Sequence, residues 1–353
     1  MVLLVTLMKS TRYATLPSAS SRTVSVIICA KNEAENLQKN LPLLLRQKYP
    51  DYEVIVVDDG SDDNTARLGI KDARLKLIHL TKEEKVGLGK KYALQKGVEQ
   101  AKNEVILLTD ADCRPVSENW ISEMVAGVDE HHKIVLGISP YNNTENNFLS
   151  GLIEYETAQT ALQYLGWALL GNPYMSVGRT VAYDAALLKK KTWTEKELSI
   201  ASGDDDLTIQ TMANAGNTTV CLSSNSYTIS DAEDNWADWM KQKIRHYQSG
   251  AFYRPFDRVL LGAYWFTKMG VYCLLVFSII SGLFAEHMTI ISGYVFLIFA
   301  IYFSVTILYN FILERRLHLN SRWYGAGIYD GIYSITTIIL GLISRINTSY
   351  KWK

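Results

Sequence analysis

The sequence predicts an α/β fold, a mainly parallel sheet with helices on both faces, followed by C-terminal transmembrane helices. Short apolar runs alternate with segments of helical periodicity in the N-terminal part, a pattern typical of parallel sheets covered on both faces. The C-terminal third contains long stretches without a charged residue. At 353 residues the chain is longer than one compact core usually holds, so two structural regions are expected.

The predicted strands are short runs rich in aliphatic residues, and they span 24–30, 53–59, 75–80 and 104–110. Residues 33–46 and 90–101 have apolar residues at helical spacing and are expected to cover the sheet. Three strands end in polar or acidic clusters: AKNE at 30–33, DDGSDD at 58–63 and DAD at 110–112. Ligands of such sheets bind beyond the carboxyl ends of the strands, so the site is predicted along that edge.

Asp110 and Asp112 stand at the mouth of a buried strand, where two carboxylates repel each other unless they share a cation. A hard divalent ion between them and a phosphate-bearing ligand satisfies both charges, so Mg²⁺ or Mn²⁺ with a nucleotide diphosphate is predicted. Acidic residues at strand ends also form ordinary turns and helix caps, and that interpretation remains open for this motif alone.

Five motifs occur in the same order as in the glycosyltransferase family 2 proteins, which have the GT-A fold. They are VIICAKNEAENL, EVIVVDDGSDDNT, GLGKKYAL, LLTDADCRP and SGDDDL. A QKIRH stretch follows on a predicted helix, and GRTVAYD at 178–184 resembles the acceptor-side strand of the family. The sequence resembles this family over residues 24–250, which leaves the membrane segments as an attachment.

The resemblance implies that a nucleotide-sugar donor contacts the strand ends and the start of one helix. The implied donor-binding residues are Ala30, Glu33, Asp58, Asp59, Lys90, Asp110 and Ala111, together with Gln242 and Arg245 of the later QKIRH stretch. A carboxylate there can accept the N–H of a uracil ring, and Lys90 can meet a phosphate or ribose. The alternatives are a helix cap formed by KNE, a turn formed by DDGSDD, and a solvated lysine.

The resemblance makes Asp112, together with Asp110, the metal ligand and Asp205 of SGDDDL the general base. An acceptor hydroxyl is a poor nucleophile, so a carboxylate must take its proton as the new bond forms. Three adjacent acids cannot all face one site, and their crowding is expected to raise at least one pKa. Asp204 and Asp206 are expected to cap the helix that begins there.

Gln242, Arg245 and His246 lie at helical spacing on one predicted face, where Arg245 can bind a diphosphate in bidentate fashion. Polymerising members of the family usually have QxxRW here, so His246 replaces a tryptophan and favours transfer of one sugar or a few. A basic amphipathic helix resting on lipid headgroups is the alternative, and it accounts for Lys241 and Lys243 equally well.

Membrane helices are predicted at about 263–285 and 289–313, with only EHM between them. Lys268, inside the first segment, is expected to snorkel. A third segment at 325–344 either spans or lies at the interface, because Asp330 interrupts it. The positive-inside rule places the basic flanks of these segments in the cytoplasm.

The predicted domains are a lead-in (1–22), a catalytic domain (23–235), an interfacial helix region carrying QKIRH (236–260) and a membrane domain (261–353). Lysine plus arginine equals aspartate plus glutamate at 36 each, so no overall charge favours nucleic acid as a partner. The four cysteines form no CxxC pair and indicate a reducing compartment without a cysteine metal site.

Together these features predict a metal-dependent, inverting and non-processive glycosyltransferase of the inner cell membrane with a cytoplasmic catalytic domain. It would move a sugar from a nucleotide diphosphate, with uridine expected, to a lipid-linked or polysaccharide acceptor. A nucleotidylyltransferase is the first alternative, although CAKNEAEN lacks the glycine-rich phosphate loop of that class. A non-catalytic membrane binding or assembly protein is the second, and the intact Asp112 and Asp205 disfavour it.

Overall fold

The computed structural model describes residues 22–85, 87, 89–142, 147–284 and 289–346, together with residue 6. The predicted turn at 286–288 and nearly all of the predicted lead-in at 1–22 lie outside the described residues. Within them, the architecture is an α/β domain followed by three long C-terminal helices.

A seven-stranded sheet with the order β3-β2-β1-β4-β8-β6-β9 forms the centre of the domain. The strands of the chain are β1 Val24–Ala30, β2 Tyr52–Asp59, β3 Leu75–Leu80, β4 Val105–Asp110, β5 Arg114–Pro115, β6 Ile134–Leu136, β7 Tyr141–Asn142, β8 Val181–Asp184, β9 Thr218–Val220 and β10 Thr228–Asp231. All neighbouring pairs are parallel except those of β8, which runs antiparallel to β4 and β6. The predicted mainly parallel sheet is confirmed.

The helices lie on both faces of the sheet and at the C-terminal end of the chain. They are α1 Ala34–Leu44, α2 Lys91–Gln100, α3 Trp120–Val125, α4 Phe148–Leu169, α5 Ala185–Leu188, α6 Glu195–Leu198, α7 Asp206–Met212, α8 Trp236–Tyr247, α9 Pro255–Phe284, α10 Thr289–Leu317 and α11 Ala326–Ile346. Side chains alternate along each strand. Ile27 of β1 therefore packs towards α2 and α4, and Val26 packs towards α1 and α3.

A second, three-stranded sheet with the order β5-β10-β7 stands beside the carboxyl end of β4. In this sheet β10 pairs antiparallel with β5 and parallel with β7. Because β5 begins four residues after the end of β4, this small sheet forms a wall directly beyond Asp110 and Asp112.

Three C-terminal helices are long and apolar enough to cross a membrane, over Pro255–Ser281, Gly293–Leu317 and Trp323–Ile346. Asp330 in the third segment is fully buried rather than exposed to lipid. Lys268 forms an ion pair with it, and Tyr272 and Tyr302 donate hydrogen bonds to it at 2.8 and 2.6 Å. The expectation that Lys268 snorkels is therefore wrong, since a buried carboxylate holds its ammonium between the helices.

Helix α4 joins the α/β domain to the C-terminal helices. Its Tyr155 donates a hydrogen bond of 2.6 Å to Asp330, and its Gln159 donates one of 2.7 Å to Asn310 of α10. The same helix packs on the main sheet through residues such as Leu165. Helix α4 thus packs against both the main sheet and the C-terminal helices, and it connects the two regions along its length.

Candidate functional site

A cavity of about 1100 Å³ opens beyond the carboxyl ends of the central strands. Most of the predicted site residues line it: Glu33, Lys90, Asp110, Ala111, Asp112, Asp205, Gln242 and Arg245. Motifs that are more than 100 residues apart in the chain therefore meet in one space, which is the edge where parallel sheets bind ligands.

Three predicted donor-binding residues, Ala30, Asp58 and Asp59, do not line this cavity. Ala30 is fully buried at the end of β1. Asp58 accepts a hydrogen bond from the Ser61 amide at 3.2 Å and contacts His79 Nδ1 at 2.6 Å. Asp59 forms an ion pair with Lys85. The geometry of Asp58 is that of a turn residue, as the alternative for DDGSDD predicted.

The amino end of α1 is capped from the neighbouring loop rather than by KNE. Asp63 accepts a hydrogen bond from the Ala34 amide at 3.1 Å, whereas the Glu33 side chain makes no capping bond to the helix. The Asn32 side chain instead accepts the Asp62 amide at 2.9 Å. The helix-cap alternative for KNE is thus wrong, and Glu33 lines the cavity.

Asp110 and Asp112 bring carboxylate oxygens within 4.8 Å of each other and of the Cys113 sulfur. Burial, with the nearby carboxylates, raises the pKa of the Cys113 thiol well above its ordinary value. Burial and the charge of Asp110 raise the pKa of Asp112. Asp112 has no ion pair among the described residues, so the two carboxylates fit a hard divalent cation.

Lys90 is held between two acids rather than in solvent. Its ammonium lies 2.7 Å from Asp110 Oδ1 and 3.1 Å from Asp204 Oδ2, and only 16% of the side chain is exposed. Burial opposes ionisation of Asp110, but the Lys90 charge outweighs it and leaves the pKa of Asp110 below its ordinary value. The solvated-lysine alternative is wrong, because Lys90 connects the DAD motif to the SGDDDL motif.

The three acids of SGDDDL have three different environments. Asp204 pairs with Lys90, and Asp206 accepts hydrogen bonds from Ser249 at 2.9 Å and Tyr253 at 2.5 Å. Asp205 is itself the N-cap of α7, so the expectation that its two neighbours cap the helix is wrong.

Asp205 is the one acid of the three that is only partly buried, and it lines the cavity. Its Oδ2 accepts the Gly178 amide at 2.7 Å and its Oδ1 accepts the Asp206 amide at 2.9 Å. Burial and the charge of Asp204 raise the pKa of Asp205 to about 6. A carboxylate with this pKa is ionised at neutral pH and is a better proton acceptor than an ordinary aspartate.

Helix α8 turns Gln242, Arg245 and His246 towards the cavity. Gln242 donates a hydrogen bond of 3.1 Å to Glu233. Lys243 of the same helix also lines the cavity, where it is buried and pairs with Glu156 of α4 at 2.9 Å. The lipid-headgroup alternative therefore does not fit Lys243, whereas the exposed Lys241 remains compatible with it.

Arg179 is a cavity residue that the sequence alone did not single out. Its guanidinium donates hydrogen bonds to Ser230 Oγ at 2.7 Å and to the Ser139 carbonyl at 2.8 Å, and it lies 4.2 Å from the centre of the Tyr141 ring. These partners belong to the small sheet and to the segment before it. The available signal was a charged residue placed between Gly178 and the apolar strand β8.

The far end of the cavity reaches the C-terminal helices. Arg258, Leu261 and Trp265 of α9 line it, together with one face of α11 from Tyr333 to Arg345. The lining thus changes from carboxylates and cations at the strand ends to aromatic and apolar side chains beside the membrane helices.

Comparisons with known proteins agree with this geometry. Residues 25–185 match the family described as Glycosyl transferase family 2. The glycosyltransferase AglE of Haloferax volcanii is 34% identical over 137 residues, which cover 37% of this chain and 40% of AglE. A poly-beta-1,6-N-acetyl-D-glucosamine synthase of Staphylococcus epidermidis is 36% identical over 92 residues, covering 25% of this chain and 21% of that protein. These alignments span less than two thirds of each relative.

Among solved structures, the mannosyltransferase PcManGT of Pyrobaculum calidifontis, in complex with GDP-Man and Mn²⁺, superposes with a TM-score of 0.61. The superposition covers 97% of this chain and 94% of that one at 16% sequence identity, so it shows the fold. Residues 25–185 are therefore similar to glycosyltransferase family 2, and the chain has a GT-A-like fold followed by C-terminal helices that are long and apolar enough to span a membrane.

Proposed function

We propose that the protein is a membrane-bound glycosyltransferase that moves a sugar from a nucleotide diphosphate donor to a lipid-linked or glycan acceptor. The observation that carries this proposal is the single cavity lined by Asp110, Asp112 and Asp205, because it brings a candidate metal site and a candidate base into one space.

The donor end of the cavity is assigned to the strand ends. Asp112 and Asp110 would hold Mg²⁺ or Mn²⁺, which compensates the diphosphate charge and stabilises the departing nucleoside diphosphate. Lys90, Arg179 and Arg245 add positive charge around the same space. The Mn²⁺ bound with GDP-Man in the mannosyltransferase of the same fold supports this assignment.

The transfer step is assigned to Asp205. The acceptor hydroxyl oxygen forms a bond to the anomeric carbon of the sugar while its proton passes to the Asp205 carboxylate. The bond from that carbon to the diphosphate oxygen breaks, and the nucleoside diphosphate leaves with the electron pair. Direct attack from the face opposite the leaving group inverts the anomeric centre.

The acceptor end is assigned to the part of the cavity beside α9 and α11. Its aromatic and apolar lining, next to two basic side chains, Arg258 and Arg345, suits an amphiphilic acceptor. His246 lies where polymerising family members have a tryptophan, which favours transfer without processive elongation. The catalytic domain is assigned to the cytoplasmic side of the inner membrane, because the positive-inside rule favours that side for the basic flanks of the helices.

The test is a screen of the purified protein against a panel of nucleotide sugars, beginning with uridine diphosphate sugars. Release of nucleoside diphosphate should require Mg²⁺ or Mn²⁺. Asp112→Asn should abolish metal-dependent binding of uridine diphosphate in calorimetry while the thermal transition stays close to that of the wild type. If Asp112→Asn binds the diphosphate and metal like the wild type, the DAD motif is a turn and the proposal loses its metal site.

A further inference from the structure

Helix α11 is apolar and long enough to span a membrane, yet its two ends touch the same domain. Next to its amino end, Arg322 forms an ion pair with Glu154 of α4, and the Tyr329 ring lies against Gly151 of the same helix. At its carboxyl end, Ser344 and Arg345 line the cavity that contains Asp110. A helix of 21 residues is about 31 Å long. It therefore runs beside the domain.

Contacts along the middle of α11 follow the same course. Tyr333 packs edge-on against Trp265 of α9, with ring centres 5.1 Å apart, and Thr337 contacts the Tyr247 hydroxyl of α8 at 3.4 Å. Helix α8 belongs to the cavity wall that carries Arg245. Helix α11 thus remains against the catalytic region over most of its length. Helix α9, in contrast, continues past the catalytic region to Phe284.

The two faces of α11 differ sharply in character. The inner face buries polar groups among aromatic ones, including Asp330, Ser334 and Ser344. The outer face exposes aliphatic side chains at helical spacing: Ile328, Ile335, Ile339 and Ile346. About a third of the apolar window of α11 is buried, against 6% and 11% for the windows of α9 and α10. A one-sided apolar face suits a bilayer surface better than a crossing.

Basic residues flank α11 on both sides. Arg315, Arg316 and Arg322 precede the helix, and Arg345, Lys351 and Lys353 close the sequence. A crossing helix would place one of these groups on the outer side, against the positive-inside rule. A helix that lies in the interface keeps both groups on one side.

We propose that α11 does not cross the membrane but lies in the plane of its surface, with its outer face in lipid and its inner face forming the membrane-side wall of the candidate cavity. Within the described residues, two helices then cross the membrane, α9 and α10, and the carboxyl end of α11 lies on the same side as the catalytic domain. This placement rests on contacts and charge alone, but its role for an acceptor rests on the proposed function.

The test labels single cysteines in the full-length protein from outside intact cells with a membrane-impermeant maleimide. The background carries Cys273→Ser, because Cys273 is the exposed native cysteine among the described residues. The three positions are Asp62 in the catalytic domain, His287 between α9 and α10, and Lys353 at the C-terminus. Asp62→Cys and Lys353→Cys should label only after permeabilisation, and His287→Cys should label directly.

The outcomes separate this inference from the proposed function. Direct labelling of Lys353→Cys together with His287→Cys, with Asp62→Cys protected, would mean that α11 crosses the membrane and would overturn the inference. Labelling of Asp62→Cys and Lys353→Cys with His287→Cys protected would keep α11 in the interface but reverse the proposed cytoplasmic orientation. If all three cysteines label directly, or if none does, both the in-plane α11 and the proposed cytoplasmic orientation are contradicted.

A depth measurement tests the lipid contact without relying on topology. Spin labels at Ile339 of α11 and at Ile301 of α10, 50% and 56% exposed, form a matched pair, because Ile301 lies in the interior of the second candidate span. The label at Ile301 should respond mainly to oxygen dissolved in the bilayer core. The label at Ile339 should lie about 5–10 Å below the headgroups and respond also to a water-soluble nickel chelate. Equal depth for the two labels would contradict an in-plane α11.

Discussion

The Asp205 carboxylate is held in place by the backbone and is also open to the cavity. It accepts two backbone amides, which fixes its orientation, and it still faces the cavity. Burial and the charge of Asp204 raise its pKa to about 6, whereas the two amide bonds act in the opposite direction. Because these opposing effects leave the pKa of Asp205 at about 6, the oriented carboxylate is ionised near neutral pH.

Asp205→Asn is expected to retain donor affinity and to lower the transfer rate by at least ~10²-fold, since an amide cannot take the proton of the acceptor. The wild-type rate should fall tenfold per pH unit below about pH 6, where Asp205 becomes protonated. The residual rate of the variant should lack this acidic limb. Rates from pH-jump assays, measured beside calorimetric donor affinity, check both statements.

Asp206→Asn is the matched control. Burial and the charge of Asp205 raise the pKa of Asp206 well above its ordinary value, and the amide matches the carboxyl in size and keeps an oxygen for Tyr253 and Ser249. Its transfer rate should stay within about twofold of the wild type. If Asp206→Asn loses most of its transfer rate while Asp205→Asn turns over normally, the assignment of Asp205 as the base is wrong.

The sequence placed most single residues of the candidate site but not their partners. Asp110, Asp112 and Asp205 are recognisable because acids that end strands or begin helices form motifs with fixed spacing. The contact between Lys90 and Asp204 joins residues far apart in the chain, and no local pattern encodes it. Arg179 was missed for the same reason, because its partners Ser139 and Ser230 lie in separate segments.

At the scale of elements, the GLGKK segment holds the loop that precedes Asp205. Lys91 is fully buried and donates hydrogen bonds to the carbonyls of Ile200 at 2.8 Å and Ser202 at 2.5 Å. A Cβ on Gly89, whose φ is +73°, would lie 2.0 Å from the Ala201 carbonyl oxygen. The backbones therefore approach so closely that only glycine fits at position 89.

Lys91→Met is expected to lower the transfer rate by roughly 10²-fold with donor affinity unchanged, because a displaced loop moves Asp205 away from the acceptor. Two buried carbonyls lose their donor, which should cost about 1–3 kcal/mol of stability each. Hydrogen exchange of residues 199–205 should become faster. Kinetics, calorimetry and exchange mass spectrometry measure these three effects.

Lys96→Met is the control for that variant, since Lys96 stands on the same helix but pairs at the surface with Glu99. It should leave the exchange of residues 199–205 and the transfer rate unchanged. If Lys91→Met also leaves the exchange of that loop unchanged, Lys91 contributes to the core and does not position Asp205.

Elements were predictable where their pattern is local. Strands β1 and β3 begin and end as expected, and helices α1 and α2 lie inside their predicted segments, because apolar periodicity determines both. The antiparallel β8 was not predictable, since VAYD carries no sign of its direction. The small sheet around β10 was missed because two of its strands have only two residues each.

At the scale of the whole molecule, the α/β domain and the C-terminal helices share one polar cluster. Asp330 of α11 receives hydrogen bonds from Tyr155 of α4, Tyr272 of α9 and Tyr302 of α10, and it pairs with Lys268. Hydropathy alone treated Asp330 as an interruption of a span. Its role became visible only once four helices were placed around it, which no single segment encodes.

Asp330→Asn should therefore destabilise the molecule as one unit. The amide oxygen can still accept the hydroxyls of Tyr272 and Tyr302, but the amide nitrogen cannot accept the Tyr155 hydroxyl. Lys268 is also left as a buried charge without a counterion, at a cost of roughly 3–5 kcal/mol. Because Tyr155 connects the cluster to α4, tryptophan fluorescence of the catalytic domain and helix content should unfold together at lower denaturant than in the wild type. Denaturation of the detergent-solubilised protein measures both signals.

Combining Asp330→Asn with Lys268→Met decides whether the ion pair is the cause. The double variant removes both charges, so it should recover most of the stability that Asp330→Asn loses, which is the non-additivity expected of two residues in contact. Thr267→Val, at an exposed position next to Lys268, is the control and should change stability by less than about 0.5 kcal/mol. Strictly additive losses in the double variant would mean that the pair does not couple the helices. Separate unfolding of the two signals in the wild type would mean that α4 does not join the two regions into one cooperative structure.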